Sequence, residues 1–313
     1  MSILSDKVRD LPDASSPPTY STAATELPPS PSSLSLPPTY DAATSGTSTS
    51  SGEGTSPMTP PAFTPTASFQ IETSGKQWLS LPVATRPDPI PVYRVEAGSW
   101  AADSVPAFVS MRFSRGDGSC HLVRGDDGSQ MPACTTVYRF GPGKPPLFRL
   151  PRPTAPPASS STAAAADDTL ELKMVSASLT SRTQVLETPH GTFRWRYGSR
   201  KERAAVPGAD DLLLCELVRV ASPAGGETRE ESTVAAQLVR GEGTRTKGSG
   251  KSTAGNGGRL MVDLREWMGS KGDAAGEVEV LLIAGCICML KKEVDRRRLQ
   301  QMMLIAAGAS GGA

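Results

Sequence analysis

The chain has 313 residues, with 33 Lys+Arg against 32 Asp+Glu, so its formal net charge is +1. That balance excludes a global electrostatic pull toward nucleic acid, and any charge-based targeting has to come from a local patch. Hydrophobic residues make up 37 % of the chain, and the 28 prolines and 30 glycines leave only part of it able to build a core.

The first residues carry Asp6, Lys7, Arg9 and Asp10 and lack the apolar run of a signal peptide. Residues 1–66 are dominated by Ser, Thr, Pro and Ala, with sparse large apolar residues in no period. Such a segment cannot bury enough surface to offset the entropy of ordering, which predicts a disordered tail. Within it "SPPTYST" (16–22) and "LPPTYDA" (36–42) repeat Pro-Pro-Thr-Tyr. Pro-Pro-x-Tyr is the ligand pattern of WW domains. Prolines pre-set the polyproline II helix, so Pro17, Pro18, Pro37 and Pro38 lose little entropy in an aromatic groove, and Tyr20 and Tyr40 fill the adjoining pockets. The two tyrosines stand twenty residues apart, a flexible span of about 25 Å. Sites tethered that way suit tandem WW domains, and HECT-type ubiquitin ligases are the partner class that carries them.

From Ser68 short β-type runs recur between Gly, Pro and Asp. They are "FQIET" (69–73), "WLSLPV" (78–83), "PVYRV" (91–95), "AFVSMRF" (107–113), "CHLV" (120–123), "TTVYRF" (135–140) and "LFRL" (147–150). "LELKMVSASL" (170–179), "TQVLET" (183–188), "TFRWRY" (192–197), "DLLLCELV" (211–218), "TVAAQLV" (233–239) and "RLMVDL" (259–264) follow. About a dozen strands at this spacing predict an all-β sandwich or barrel. Pro189-His190-Gly191 supplies a hairpin turn, after which Phe193, Trp195 and Tyr197 share one face and Arg194 and Arg196 the other. The aromatic face is expected in the core, and the arginine face in solvent or on an anion. Segments 151–168, 221–232 and 241–258 have loop composition.

The last element, "EVEVLLIAGCICMLKKEVDRRRLQQMM", has no proline and is apolar almost all round in its first half. A helix apolar on every side is buried on every side. Its apolar stretch, about 13 residues, is too short for the roughly 20 of a membrane span, so it is expected to run through the β-structure. The five cysteines, Cys120, Cys134, Cys215, Cys286 and Cys288, are odd in number and scattered, which fits a reduced intracellular protein with packing cysteines.

"KGSGKST" (247–253) imitates a nucleotide phosphate loop. The first glycine of that motif would stand at 245, which is Arg245, and "TAGNGG" cannot begin the helix the motif requires. Nucleotide hydrolysis is therefore not expected, although Arg245, Lys247 and Lys251 on a Gly-rich turn could hold a phosphate without chemistry. No nucleophile elbow, zinc helix or dinucleotide loop occurs.

A dozen strands followed by one hydrophobic helix resembles the tubby C-terminal-like fold, which groups the LURP-one-related proteins and the phospholipid scramblases. "LVRGDD" (122–127), "TVYRFGPGKPP" (136–146), "GTFRWRYGSRKER" (191–203), "KSTAGNGGRLMVDL" (251–264) and "MLKKEVDRRR" (289–298) are similar to segments of uncharacterised fungal proteins. The resemblance implies a closed barrel of about 12 strands around a central C-terminal helix, and an anionic lipid surface. It carries no ligand residue across.

The expected architecture is mainly β (α+β): a tail over 1–66, a tubby-like β-barrel over 67–300 and a flexible C-terminal tail over 301–313. The expected role is a non-enzymatic, cytoplasmic and peripherally membrane-bound adaptor, with no cofactor, metal or nucleic acid. Its tail would recruit a WW-domain protein while its barrel binds an anionic phospholipid surface or a protein. The alternative is a lipid-binding or lipid-handling module whose tail only regulates turnover. Candidate anion ligands are Arg194, Arg196, Arg200, Lys201 and Arg203, then Arg245, Lys247 and Lys251, and finally Lys291 and Lys292 with the arginines after them.

Overall fold

The computed structural model describes residues 63–96, 104–112, 114, 117–141, 144–151, 169–178, 181–221, 229–269 and 273–310. Both Pro-Pro-Thr-Tyr motifs and residues 152–168 lie outside the described residues. Twelve strands form one closed antiparallel barrel. They are β1 (Ala67–Ile71), β2 (Ile90–Arg94), β3 (Phe108–Met111), β4 (Cys120–Arg124), β5 (Pro132–Val137), β6 (Leu147–Pro151), β7 (Thr169–Ser176), β8 (Gln184–Thr188), β9 (Gly191–Tyr197), β10 (Asp211–Ala221), β11 (Arg229–Arg240) and β12 (Gly258–Val262). Each strand pairs with its neighbour in sequence, and β1 closes the ring on β12 with Phe69 opposite Leu260. Closure leaves no unpaired sheet edge.

The strands alternate, one side in and one side out, as the two-residue period of a pleated strand requires. Phe69, Phe108, Phe148, Phe193 and Trp195 point inward and are almost wholly buried. What they meet is α2 (Ala274–Ser310), a helix of 37 residues. Residues 278–290 of α2 are buried without interruption, and they join residues of all twelve strands in one core. The all-round apolar stretch therefore fills the barrel as expected. At 1.5 Å per residue α2 is about 55 Å long. It leaves the barrel mouth near Lys291 and continues as helix through Ser310, where a flexible tail was expected from 301.

Three further differences from the sequence reading have local causes. "WLSLPV" is a turn segment and not a strand. Its carbonyls are taken by side chains: Lys76 Nζ donates to Leu81 O (2.6 Å) and Val83 O (3.2 Å), and Gln301 Nε2 lies within bonding distance of the Gln77, Trp78 and Ser80 carbonyls. A short helix, α1 (Arg200–Ala205), follows β9, started by a capping box in which Ser199 and Glu202 satisfy each other's backbone N–H. Finally, β10 runs to Ala221 and β11 begins at Arg229, so the loop expected over 221–232 is partly a long hairpin.

Candidate functional site

Two of the five cations of the β9–α1 cluster, Arg194 and Arg196, are neutralised by carboxylates. Arg194 Nε donates to Glu216 Oε2 (2.9 Å) and its Nη1 pairs with Glu230. Arg196 Nε donates to Glu216 Oε1 (2.7 Å), and its Nη2 to Glu202 Oε1 (2.6 Å). Glu216 is buried and stands in register with Arg194 across β9–β10. Hydrogen bonding from Arg196, with help from Ser199, lowers the Glu202 carboxyl to about 2. Two arginines meeting three glutamates make a structural network, which corrects the expectation of an open anion face there. Arg200 and Lys201 are exposed, and Arg203 donates to Asp210 O (3.3 Å).

The Gly-Lys loop is likewise committed. Lys251 pairs with Asp210 (2.6 Å), and Arg245 pairs with the same carboxylate. Gly255 N donates to Glu293 Oε2 (2.7 Å), which pins the loop to α2. A Cβ at Gly255 would stand 2.5 Å from Leu290 O, and its φ of +68° favours glycine as well. Of the three loop cations, Lys247 alone is exposed with no ion pair to another described residue. Gly255 thus serves close packing against the helix, while a Cβ at Gly248 would meet nothing within 4 Å.

Two features gather at the end of the barrel where α2 emerges. The first is an apolar tip. Leu299, Met303, Leu304 and Ile305 on α2 are exposed, as are Trp78, Leu79, Leu81 and Val83 on the neighbouring segment, with Leu79 at 95 %. Gln301 ties the two elements together, and Arg297 stacks 4.5 Å over the Trp78 ring. Leu304 and Ile305 lie one turn beyond Gln301, on the face toward that segment. Below the tip, Lys292, Arg296 and Arg297 make no ion pair with another described residue. No hydrogen bond or ion pair joins this collar to the β9–α1 cluster among the described residues.

The second feature is a cleft of about 590 Å³ between α2, β2 to β4 and the segments that follow β1, β3 and β5. Its lining carries Arg86, Arg112, Arg139, Lys144, Lys291 and Arg298 against Glu72, Asp88, Asp117 and Asp295. Lys291 and Arg298 are the members of the sequence-derived basic set found here, and Lys291 Nζ donates to Gly118 O (2.6 Å). Asp295 sits between Tyr138, whose hydroxyl donates to it at 2.8 Å, and Arg298. Burial raises the Asp295 carboxyl above its ordinary range despite these partners. Arg112 and Arg86 gave no sequence signal, because the long loop before β2 and the end of β3 are joined only by the fold.

All five cysteines are free and buried. Burial pushes the Cys134 and Cys288 thiols up to about 12, far from thiolate reactivity. Among the described residues no group of three or more His, Cys, Asp or Glu could hold a metal ion, and no helix is long and apolar enough to cross a membrane. Comparisons with protein-family models, with curated proteins and with solved structures each found no match.

Proposed function

We propose that the protein is a non-enzymatic adaptor whose barrel docks on an anionic membrane surface by the end from which α2 emerges, while its tail recruits a WW-domain protein of the HECT-ligase type. The apolar tip with its basic collar carries this reading. Leu79, Leu81, Leu304 and Ile305 are large apolar side chains exposed together on two hydrogen-bonded elements. Exposed apolar clusters of this kind mark interaction surfaces. A tryptophan beside arginines suits the interfacial zone of a bilayer, where each near-surface cation adds about 1 kcal/mol of attraction to anionic lipid. The tubby-like resemblance points the same way and belongs to the same proposal. Of the two basic clusters that the sequence offers for an anionic surface, this reading keeps the one on α2 and leaves out β9–α1.

The test is co-sedimentation of the full chain with phosphatidylserine vesicles. Leu79→Asp/Leu81→Asp should weaken binding at least tenfold, because both side chains are already in water and their loss costs the fold nothing. Unchanged binding would remove the tip from the account. Separately, Tyr20→Ala/Tyr40→Ala should abolish capture of a tandem-WW protein and leave vesicle binding intact. Retained capture would exclude the paired motifs as the recruiting element.

A further inference from the structure

The barrel-mouth cleft has the chemistry of a small-ligand site, and the membrane-docking tip does not use it. Its floor is made by side chains that reach almost no solvent, among them Ile287, Leu290 and Cys120. Its volume, about 590 Å³, falls in the range of sites that enclose small organic molecules. Above the floor stand two guanidiniums. Arg112 Nη2 donates to Thr85 O (2.6 Å) and Arg86 O (2.7 Å), neutral acceptors that leave its charge uncompensated by any ion pair among the described residues. Arg298 Nη1 reaches Asp295 Oδ1 at 3.3 Å, and its guanidinium lies 4.8 Å from the Phe140 ring. The Nε of each arginine is buried and has no hydrogen-bond partner. Burial, and repulsion from Arg298, lower the Arg112 pKa against the pull of Asp295 and Asp88.

Most of the facing carboxylates are engaged. Asp295 accepts from Tyr138, Asp117 from Ser119 N (2.8 Å) in its own turn, and Glu72 from Gln70 Nε2 (2.7 Å). Arg86, Arg139 and Lys144 are exposed on the rim and make no ion pair among the described residues. The site thus brings like charges together over an apolar floor with donors left over, an arrangement that an incoming oxyanion relieves.

We propose that this cleft binds an amphiphilic oxyanion, with a phosphate or carboxylate head between Arg112 and Arg298 and an apolar body along Ile287, Leu290 and Val294. The head and tail are common to a free small molecule and to a lipid drawn from a bilayer, and two arms of one experiment separate those sources. In the first arm, octyl phosphate is titrated calorimetrically into the full chain. Saturable one-to-one binding is expected below the micellar range. Inorganic phosphate, lacking the tail, should bind at least tenfold more weakly. Arg112→Gln should reduce octyl phosphate affinity at least tenfold. Arg139→Gln/Lys144→Gln, on the exposed rim where the fold is not at risk, should reduce it several-fold and flatten its salt dependence. In the second arm, phosphatidate vesicles replace octyl phosphate. A parallel loss of vesicle binding in the Arg139→Gln/Lys144→Gln variant assigns the head to a lipid, and unchanged vesicle binding assigns it to a free molecule. No saturable binding of octyl phosphate, or binding indifferent to both sets of substitutions, overturns the proposal. Leu79→Asp/Leu81→Asp leaves this site untouched, so failure here and failure of membrane docking are distinguishable.

Discussion

Arg240 and Glu293 form the most consequential side-chain pair in the barrel. Both are buried, and Arg240 Nη1 donates to Glu293 Oε2 at 2.6 Å while Nη2 donates to Oε1 at 2.8 Å. Tyr197 Oη donates to the same carboxylate at 2.7 Å, and Arg240 also donates to Asn256 Oδ1 and Asp211. The pair rivets α2 to β11 just where the helix leaves the core. Breaking a buried pair from one side strands the other charge, so Arg240→Met should cost about 3–5 kcal/mol in denaturant unfolding. Arg240→Met/Glu293→Met should recover part of that loss; a double variant no more stable than the single would show that the pairing is not the source. Burial alone would raise the Glu293 carboxyl, but Arg240 and its other donors hold it below the ordinary range. A carboxylate depressed in the folded state stabilises above its unfolded pKa, and that contribution is lost as pH falls through the folded value. Glu293→Gln should therefore be less stable than the parent at neutral pH, with the gap narrowing as pH falls below about 4; a gap that stays constant in acid would contradict this. None of this pairing is legible in the sequence. Arg240 and Glu293 lie 53 positions apart, and Arg194 and Arg196 likewise look free until the β9–β10 register sets Glu216 beside them.

At the scale of elements, local pattern and packing agreed wherever a strand had a partner on each side. Twelve of the short apolar runs coincide with strands, and the alternation in "TFRWRY" places Phe193 and Trp195 inside as the two-residue period requires. "WLSLPV" shows the limit of that pattern, because alternation cannot report that β1 already pairs with β2 and β12, leaving no place for another strand between β1 and β2. The capping box Ser199-x-x-Glu202 was a readable signal for α1 that strand spacing overshadowed. For α2, being apolar on every side was enough to place it in the core, but not to show how closely it packs. Gly285 faces Trp195, and a Cβ there would stand 2.8 Å from the indole Nε1. Gly285→Ala gains helix propensity but overpacks, so the net expectation is destabilisation by about 1–3 kcal/mol, measured by urea unfolding. A stabilised Gly285→Ala protein would mean that the barrel wall yields at Trp195.

The described residues from 63 onward form a β-barrel plugged by α2, which runs on well past its continuously buried stretch at 278–290. That extension carries the end proposed here to dock on a membrane. The first half of α2 completes the core, and the second half carries cations and then apolar residues out beyond the mouth. A formal net charge of +1 leaves electrostatic targeting to local patches. It could not choose among them, since a cation's availability depends on which carboxylates the fold sets beside it. The cleft was invisible for the same reason: Arg112, Tyr138 and Arg298 meet only when β3, the end of β5 and α2 converge. The central claim is that this end of the barrel meets an anionic bilayer, and co-sedimentation of the full chain with phosphatidylserine vesicles tests it most directly. The account predicts salt-sensitive binding that falls at least tenfold in Leu79→Asp/Leu81→Asp. Binding that is absent at low salt, or that survives those substitutions unchanged, would contradict it.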